Sequence, residues 1–199
     1  MARKQGSHSD ITGPKVREAA LRLIARDGFA ATSMRQIAGE VGVQAGALYN
    51  YVSDKQSLLF ELMEAHMTEV LAALEAEAIT GSPAERLEAF TRFHVRFHLP
   101  RRDAIFVNYM ELRNLTPENF ARIGAMRRTY EAALEAILRD GVAEGTFQIA
   151  DLRVTTFAMI ALLTGLTNWY DPGGRLSVAE VEDIYVDLML NAAGAVANG

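Results

Sequence analysis

The stretch that decides the fold covers residues 33–55 and reads S-M-R-Q-I-A-G-E-V-G-V-Q-A-G-A-L-Y-N-Y-V-S-D-K. Ser33 and Gln36 have the spacing of a capping box, in which each side chain bonds a backbone amide at a helix start. Gly42 follows the apolar face of this first helix and can adopt the positive φ that ends a helix in a sharp turn. A second short helix is predicted over residues 44–51. Two short helices joined by a glycine turn form a helix-turn-helix unit, which lays its second helix in the major groove of DNA.

The outward positions of this second helix favour contact with DNA. Small residues there would let the backbone approach base edges, a glutamine can pair with adenine, and alanine methyls can contact thymine. Tyr49, Asn50 and Lys55 are suited to phosphate oxygens, which position a helix without reading sequence. The alternative is that these are ordinary surface residues of a helical bundle. The predicted DNA-binding residues are Lys15, Thr32, Ser33, Arg35, Gln44, Ala45, Gly46, Ala47, Tyr49, Asn50, Tyr51 and Lys55.

Residues 19–59 resemble the N-terminal domain of the TetR family of bacterial transcriptional repressors. The matching pieces are A-A-L-R-L-I-A-R-D-G-F-A-A-T-S-M-R-Q-I-A-G-E-V-G-V and G-A-L-Y-N-Y-V-S-D-K-Q-S-L-L. Many relatives carry a serine and a lysine where this chain has Gln44 and Ala45, tyrosine or histidine in place of Asn50, and an aromatic residue in place of Val52. The resemblance implies a repressor that binds a palindromic operator in double-stranded DNA, but the operator sequence does not carry over.

The distribution of charge separates a basic head from an acidic body. Residues 1–58 carry eight Lys/Arg and five Asp/Glu, a net charge of +3, whereas residues 59–199 carry twelve and twenty, a net charge of −8. Such an asymmetry is expected when only the head meets phosphate, with compositional noise as the alternative. We therefore expect a DNA-binding domain over residues 1–58 and an effector-binding and dimerisation domain over residues 59–199. Arg3 and Lys4 could reach a minor groove or a phosphate, unless that end is simply disordered.

Composition argues against several other classes of protein. The chain has no cysteine, which excludes disulfides and thiolate metal sites. It shows neither an apolar signal core nor an apolar run of membrane-spanning length, so we expect a cytoplasmic protein without a membrane partner. His94 and His98 could share a metal ion with a third ligand such as His66, but such a pair is more often plain surface or core. Catalytic motifs are not evident, so we expect neither a cofactor nor an enzyme.

The fold is predicted to be all-α, with a three-helix N-terminal domain and about nine helices altogether. The first helix is expected from about Gly13 to Asp27, and the sixth near residues 102–115. The fourth, over about residues 54–78, is too long for the head and should act as a rigid lever shared with the second domain. Capping patterns predict further helix starts at Ser53 with Gln56, Ser82 with Glu85, Thr116 with Asn119, Asp151, and Ser177 with Glu180.

Residues 152–170 are apolar almost all round, so this helix must be buried on several sides. Its small residues would let another helix approach closely, and the last helix is apolar at Leu188, Leu190 and Ala192. We expect these last two helices to form a homodimer face that makes a four-helix bundle across a two-fold axis. The alternative is a core within one chain. The small residues are Ala158, Ala161, Thr164 and Gly165.

Aromatic residues and methionines crowd the fifth to eighth helices, where they could line a cavity or simply fill the core. The family resemblance favours a small hydrophobic effector there. E-L-R-N-L-T-P-E-N and T-G-L-T-N-W-Y-D-P-G-G-R-L resemble the branch that responds to acyl-CoA thioesters; a drug-like or aromatic effector, or none, is the alternative. Arginines that suit CoA phosphates would be Arg102, Arg113, Arg122, Arg127, Arg128 and Arg175. The predicted effector residues are Met67, Phe90, Phe93, Phe97, Phe106, Tyr109, Met110, Arg113, Met126, Tyr130, Phe157 and Trp169.

Overall fold

The structure, a computed structural model, describes residues 6–195, with side chains from residue 11 onward. Within this range the chain forms α-helices, two short 3₁₀ helices (Leu99–Arg101 and Leu112–Asn114) and no strand, which confirms the all-α prediction. Arg3 and Lys4 lie outside the described residues. None of the described helices is long and apolar enough to cross a membrane. The α-helices are α1 (Gly6–Asp27), α2 (Met34–Val41), α3 (Ala45–Leu48), α4 (Lys55–Ala76), α5 (Pro83–His98), α6 (Arg102–Met110), α7 (Pro117–Ala143), α8 (Leu152–Trp169) and α9 (Val178–Ala192).

The chain divides into two compact units. Unit 1 contains the chain up to Met67 together with Asp103–Ile123, and unit 2 contains Thr68–Arg102 together with the chain from Gly124 onward. Residues 103–123 thus belong to the same compact unit as the N-terminal helices. Helices α4 and α7 each run from one unit into the other, as expected for the fourth helix. The assignment of separate functions to residues 1–58 and 59–199 stays a prediction.

Local capping explains where most of the helices begin. Ser33, Ser82 and Ser177 each form both bonds of a capping box, at the starts of α2, α5 and α9. The Asp151 carboxylate accepts a hydrogen bond of 2.9 Å from the backbone N–H of Val154 at the start of α8. These bonds satisfy amides that have no partner inside the helix. The predicted starts of these four helices are therefore confirmed.

Ser53 was predicted to cap α4, and this is wrong by one residue, because the carboxylate of the neighbouring Asp54 is the cap. The Asp54 carboxylate accepts a 2.8 Å hydrogen bond from the backbone N–H of Ser57. This bond holds the pKa of Asp54 below its ordinary value. The Gln56 side chain, which would have completed a box with Ser53, instead donates to the backbone carbonyl of Asn114 at 2.7 Å. A tertiary contact has thus replaced the predicted local one.

The start of α1 and the end of α6 also differ from the prediction. Helix α1 begins at Gly6 rather than near Gly13, and Pro14 lies inside it. Helix α6 ends at Met110, before the predicted end at residue 115. At Glu111 the backbone leaves helical geometry, with φ −101° and ψ 2°, and a 3₁₀ turn follows. The side chain of Glu111 has a partner elsewhere in unit 1, described below, and that contact accompanies the early end of α6.

Each unit has its own apolar core. The largest fully buried side chains of unit 1 are Ile24, Ile37, Leu48, Leu58, Leu59, Met63, Ile105 and Ile123. Those of unit 2 are Leu87, Phe90, Leu134 and Leu138. Close packing also fixes the end of α7, where the Gly141 carbonyl accepts the backbone N–H of Phe147 at 3.0 Å. A methyl group at Gly141 would come within 2.0 Å of the Phe147 ring, so only glycine fits there.

Candidate functional site

The helix-turn-helix unit forms as the sequence predicted, with a shorter second helix. Gly42 ends α2 with φ 75°, the left-handed conformation that glycine adopts without strain. Helix α3 spans only Ala45–Leu48, and the predicted extension to residue 51 consists of turns. Leu48 and Val52 are buried and anchor α3 to the core of unit 1.

The predicted DNA-binding residues differ widely in exposure. Thr32 is buried, whereas Ala45, Ala47, Tyr51 and Lys55 are half-buried. Because Tyr49 is 58% exposed, its phenol can reach a partner outside the chain. The exposed members of the set are Lys15, Ser33, Arg35, Gln44, Gly46, Tyr49 and Asn50.

Several cations of unit 1 are already paired with carboxylates of the same unit. Arg17 bonds Glu61 at 2.7 Å, and Arg26 bonds its neighbour Asp27 at 2.7 Å. Arg22 lies 2.6 Å from the Glu18 carboxylate and 3.6 Å from that of Glu40.

Lys15 and Arg35 differ from these arginines. Both are exposed, and neither forms an ion pair with any side chain of residues 11–195. A cation that is not neutralised by its own protein can attract a phosphate more strongly than a paired one. Near the helix-turn-helix unit, the predicted basic head therefore offers Lys15 and Arg35 as exposed cations without an ion-pair partner among the described side chains.

Thr32, Ser33 and Lys55 have structural partners within unit 1. The Lys55 ammonium donates to the backbone carbonyl of Thr32 at 2.6 Å and lies 4.2 Å from the centre of the Phe29 ring. Burial lowers the pKa of Lys55, and the charge of Glu111 opposes that shift. The Thr32 hydroxyl donates to the Gly28 carbonyl at 2.9 Å, and the Ser33 hydroxyl donates to Gln36 Oε1 at 2.7 Å. These three side chains thus shape the start of α2.

Glu111 was not among the predicted site residues, and it is buried, with 7% of its surface exposed. Its Oε1 accepts a hydrogen bond of 3.2 Å from the backbone N–H of Phe29. Its Oε2 accepts a short bond from the Asn114 side chain. The bonding partner Phe29 lies 82 positions away in the sequence, so no local pattern could have indicated the contact.

The predicted effector residues are divided between the two units. Phe106 and Tyr109 are half-buried in unit 1, where Met67 is buried and Met110 and Arg113 are exposed. The members in unit 2 are Phe90, Phe93, Phe97, Met126, Tyr130, Phe157 and Trp169.

Four of the unit 2 members belong to one buried aromatic cluster. The Phe90 and Tyr130 ring centres lie 5.4 Å apart, and those of Phe93 and Phe97 lie 5.6 Å apart. His94 joins the cluster through a 2.9 Å hydrogen bond between its Nδ1 and the Tyr130 hydroxyl.

The same histidine was half of the possible metal site. The His94 and His98 rings are tilted against each other with their centres 4.3 Å apart, and both are buried. His66, suggested as a third ligand, belongs to unit 1. No group of three His, Asp or Glu side chains suited to a metal ion occurs among the described residues. Both histidines are buried within unit 2, so the pair belongs to the core rather than to the surface.

Phe157 and Trp169, the other aromatic members of the predicted effector set in unit 2, are exposed instead. They share the outer side of α8 with further exposed apolar residues, and α9 adds Ile184 and Leu188. We call this surface the α8–α9 apolar face. Its large members on α8 are Val154, Phe157, Leu162 and Trp169.

A small cavity of about 210 Å³ lies in unit 2 at the end of α8. Trp169, Asp171 and Arg175 are among its lining residues. The Trp169 ring also stacks on Tyr185, with ring centres 6.5 Å apart.

The candidate phosphate-binding arginines are not equally available. Arg102 donates to the Thr167 carbonyl at 2.9 Å, and Arg122 bonds the Glu64 carboxylate at 2.5 Å. Arg113, Arg128 and Arg175 are exposed and form no ion pair with the described side chains. Arg127 is half-buried near Glu131, whose pKa is raised by burial.

Comparison with protein families matches both parts of the chain. Residues 16–62 match the model for bacterial regulatory proteins of the tetR family. Residues 80–193, more than half of the chain, match the model for the tetracyclin repressor-like C-terminal domain.

Individual relatives cover nearly the whole length. The HTH-type transcriptional repressor KstR2 of Rhodococcus jostii (strain RHA1) is 24% identical over 183 residues, covering 90% of this chain and 89% of that protein. The fatty acid metabolism regulator protein of Bacillus subtilis (strain 168) is 25% identical over 177 residues, covering 87% and 91%. The crystal structure of AibR in complex with isovaleryl coenzyme A and operator DNA matches with a TM-score of 0.82 and 26% identity, covering 93% of this chain and 100% of that one. These relatives are transcriptional regulators, not enzymes, and the chain belongs to the TetR family of bacterial transcriptional regulators.

Proposed function

We propose that the protein is a transcriptional repressor that binds a palindromic operator as a homodimer and is released from it by an acyl-CoA thioester. The observation that carries the proposal is the exposed helix-turn-helix unit, with Lys15 and Arg35 unpaired among the described side chains. A protein held on DNA by phosphate contacts needs such cations on the surface that faces the duplex. The names of the relatives, a repressor among them, support the same conclusion.

The exposed residues of the helix-turn-helix unit have distinct roles in this proposal. Gln44 reads a base, because its amide can form two hydrogen bonds with adenine. Arg35, Tyr49 and Asn50 bind phosphate oxygens and fix the register of α3 on the duplex. Lys55 is compatible with phosphate binding, since an ammonium group has three N–H donors and the Thr32 carbonyl accepts one of them.

The remaining predicted residues have supporting roles. Gly46 leaves room for a close approach of the backbone, and the half-buried Ala45 and Ala47 offer methyl groups to thymine. Thr32 acts indirectly, because its buried hydroxyl is bonded to the Gly28 carbonyl.

The α8–α9 apolar face supports the proposed homodimer. It exposes large apolar side chains at helical spacing, and such contiguous patches typically mark a protein interface. Two copies related by a two-fold axis would cover this face symmetrically and make a bundle of four helices. Phe157 and Trp169 would then contribute to the dimer interface rather than to an enclosed effector site.

An acyl-CoA effector is favoured by the relatives and is compatible with the side chains of unit 2. One relative is a fatty acid metabolism regulator, and AibR holds isovaleryl coenzyme A. We assign the acyl chain to the aromatic cluster of Phe90, Phe93, Phe97 and Tyr130, which would have to separate to admit it. Arg128 and Arg175 suit the CoA phosphates better than Arg102 and Arg122, whose guanidinium groups are engaged within the chain.

The DNA part is tested by selecting duplexes from a randomised library with the purified protein. The selected duplex should be palindromic and should bind more tightly than a scrambled duplex at every salt concentration. Gln44→Ala should change the preferred bases, whereas Tyr49→Ala should weaken binding to all duplexes alike. Equal affinity for selected and scrambled duplexes would remove operator recognition from the proposal.

The effector part is tested by titrating acyl-CoAs of increasing chain length into the free protein and into its complex with the selected duplex. Coupling between two ligands is reciprocal. The duplex should therefore lower the affinity for the effector by the same factor by which the effector lowers the affinity for the duplex, typically about 5–150-fold. Free CoA and free fatty acids serve as controls, since each carries one part of the proposed ligand. Identical affinities in both titrations would leave a DNA-binding protein without this switch.

A further inference from the structure

The loop between α1 and α2, residues 28–33, is held by two residues that are distant in sequence. From the start of α4, the Lys55 ammonium donates to the Thr32 carbonyl at 2.6 Å. From the end of α6, Glu111 Oε1 accepts the Phe29 N–H at 3.2 Å. Gly28 turns the loop with φ 86°, and a Cβ there would lie 3.5 Å from the same carboxylate oxygen. The loop is therefore fixed near both of its ends.

Both oxygens of the Glu111 carboxylate are bonded. Oε2 accepts the side-chain amide of Asn114, and the Asn114 carbonyl accepts the Gln56 side chain at 2.7 Å. A buried carboxylate is tolerated only when hydrogen bonds replace its water. The carboxylate is consequently held in one orientation and aimed at the Phe29 amide.

The position of this loop determines where α2 begins. Ser33 closes the loop and caps α2, and Gly42 then joins α2 to α3 in a tight turn. Helix α2 packs against both α1 and α3. A displacement of the loop would therefore move both helices of the helix-turn-helix unit together.

We propose that Glu111 is a positioning residue for DNA recognition, which holds the loop of residues 28–33 where α3 can read an operator. This inference rests on the proposed DNA binding. Glu111 belongs to Asp103–Ile123, the segment of unit 1 that both enters from unit 2 and returns to it along the chain. Operator recognition then depends on a residue far from the helix-turn-helix unit in sequence and without any contact to DNA.

The test compares Glu111→Ala with Glu111→Gln, which keeps an oxygen that can accept the Phe29 N–H. Glu118→Ala is the matched control, because Glu118 is an exposed glutamate of the same segment. The first measurement is hydrogen exchange of the Phe29 amide in the full-length protein without DNA. The second is the affinity for the duplex selected by the wild-type protein and for a scrambled duplex of equal length.

Glu111→Ala should speed exchange of the Phe29 amide, because that amide loses its acceptor. It should lower affinity for the selected duplex by roughly 10- to 100-fold, the factor expected for losing a hydrogen bond to a charged group. Affinity for the scrambled duplex should change much less, since the phosphate-binding cations are untouched. Glu111→Gln should restore most of the selectivity, and Glu118→Ala should behave like the wild type.

Two results would overturn the inference. One is unchanged exchange at Phe29 in Glu111→Ala, which would show that the contact does not hold the loop. The other is an equal loss of affinity for both duplexes with no rescue by Glu111→Gln, which would show general destabilisation only. If Glu111→Ala does not fold, Asn114→Ala is measured instead; it leaves the Phe29 acceptor in place but removes the bond that orients the carboxylate, so a smaller change in the same direction is expected. If the wild type selects no duplex, the proposed function fails, while the exchange measurement still decides whether Glu111 holds the loop.

Discussion

Replacing Arg35 by glutamine should weaken the salt dependence of DNA binding, whereas the same change at Arg22 should alter it little. The structure distinguishes the two arginines by their partners. Arg22 lies 2.6 Å from Glu18 and 3.6 Å from Glu40, so much of its charge is compensated locally. Arg35 is exposed and has no ion-pair partner among residues 11–195. It also lies in the first turn of α2, where a cation is not favoured by the helix dipole, so the substitution should not unfold the unit.

The magnitude follows from counterion release. Each phosphate neutralised on B-DNA contributes about 0.9 to the slope of log affinity against log salt concentration, so one arginine per subunit contributes about 1.8 in a homodimer. Between about 50 and 200 mM salt, a slope difference of about 1.8 corresponds to a roughly 12-fold difference in affinity loss. The wild type should therefore lose roughly 12-fold more affinity than Arg35→Gln over this range.

Fluorescence anisotropy with a labelled duplex at several salt concentrations measures these slopes directly. The selected and scrambled duplexes should show the same change for Arg35→Gln, because a phosphate contact carries no sequence information. Lys15→Gln should reduce the slope in the same way. The reasoning would be refuted if Arg22→Gln lowered the slope as much as Arg35→Gln, or if neither substitution changed it.

Four further substitutions test the fold and the assembly. Asp54→Ala removes a helix cap and should cost about 1 kcal/mol in the free energy of unfolding near neutral pH. Because the pKa of Asp54 is lowered in the folded state, this contribution is complete above about pH 4 and disappears as the pH falls through the lowered value. Urea unfolding curves of variant and wild type should therefore converge in acid, and a gap that persists there contradicts the assignment. Leu162→Glu or Leu188→Glu, on the α8–α9 apolar face, should yield monomers in sedimentation velocity with unchanged helical content. If the variants still form dimers of normal affinity, this face is not the dimer interface. Gly141→Ala would usually stabilise a helix, but its methyl group would meet the Phe147 ring. It should lower stability by about 1–3 kcal/mol, or the melting temperature by roughly 2–4 °C per kcal/mol, whereas a higher melting temperature would show that the ring moves aside.

Helix starts were predictable from the sequence because a capping box is a local signal. In the capping boxes of Ser33, Ser82 and Ser177, each serine lies three residues before its partner. The bonding pair can therefore be recognised before anything is known about packing. The glycine turn at Gly42 was predictable for the same reason. These signals were sufficient to predict the helix-turn-helix unit and its place in the chain.

Residues that serve tertiary contacts could not be assigned in this way. Thr32 and Lys55 are of the types that bind phosphate, yet in unit 1 they bond to each other and to the loop before α2. The early end of α6 at Met110 accompanies a contact between Glu111 and Phe29, which lies 82 positions away in the sequence. An aromatic residue at helical spacing, such as Phe157, likewise does not indicate whether its helix face is covered by its own chain or exposed.

Unit 1 is assembled from two separate stretches of the chain, and this limits how the protein can be recombined. A gene fusion that transfers residues 1–58 to another body would carry α1, α2 and α3 but leave Glu111 and Asn114 behind. The Phe29 amide and the Gln56 side chain would then meet whatever residues the new body offers at those places. Successful chimeras should therefore be those in which residues 103–123 are transplanted as a second piece, so that two exchanges are needed where the helix-turn-helix sequence alone suggests one.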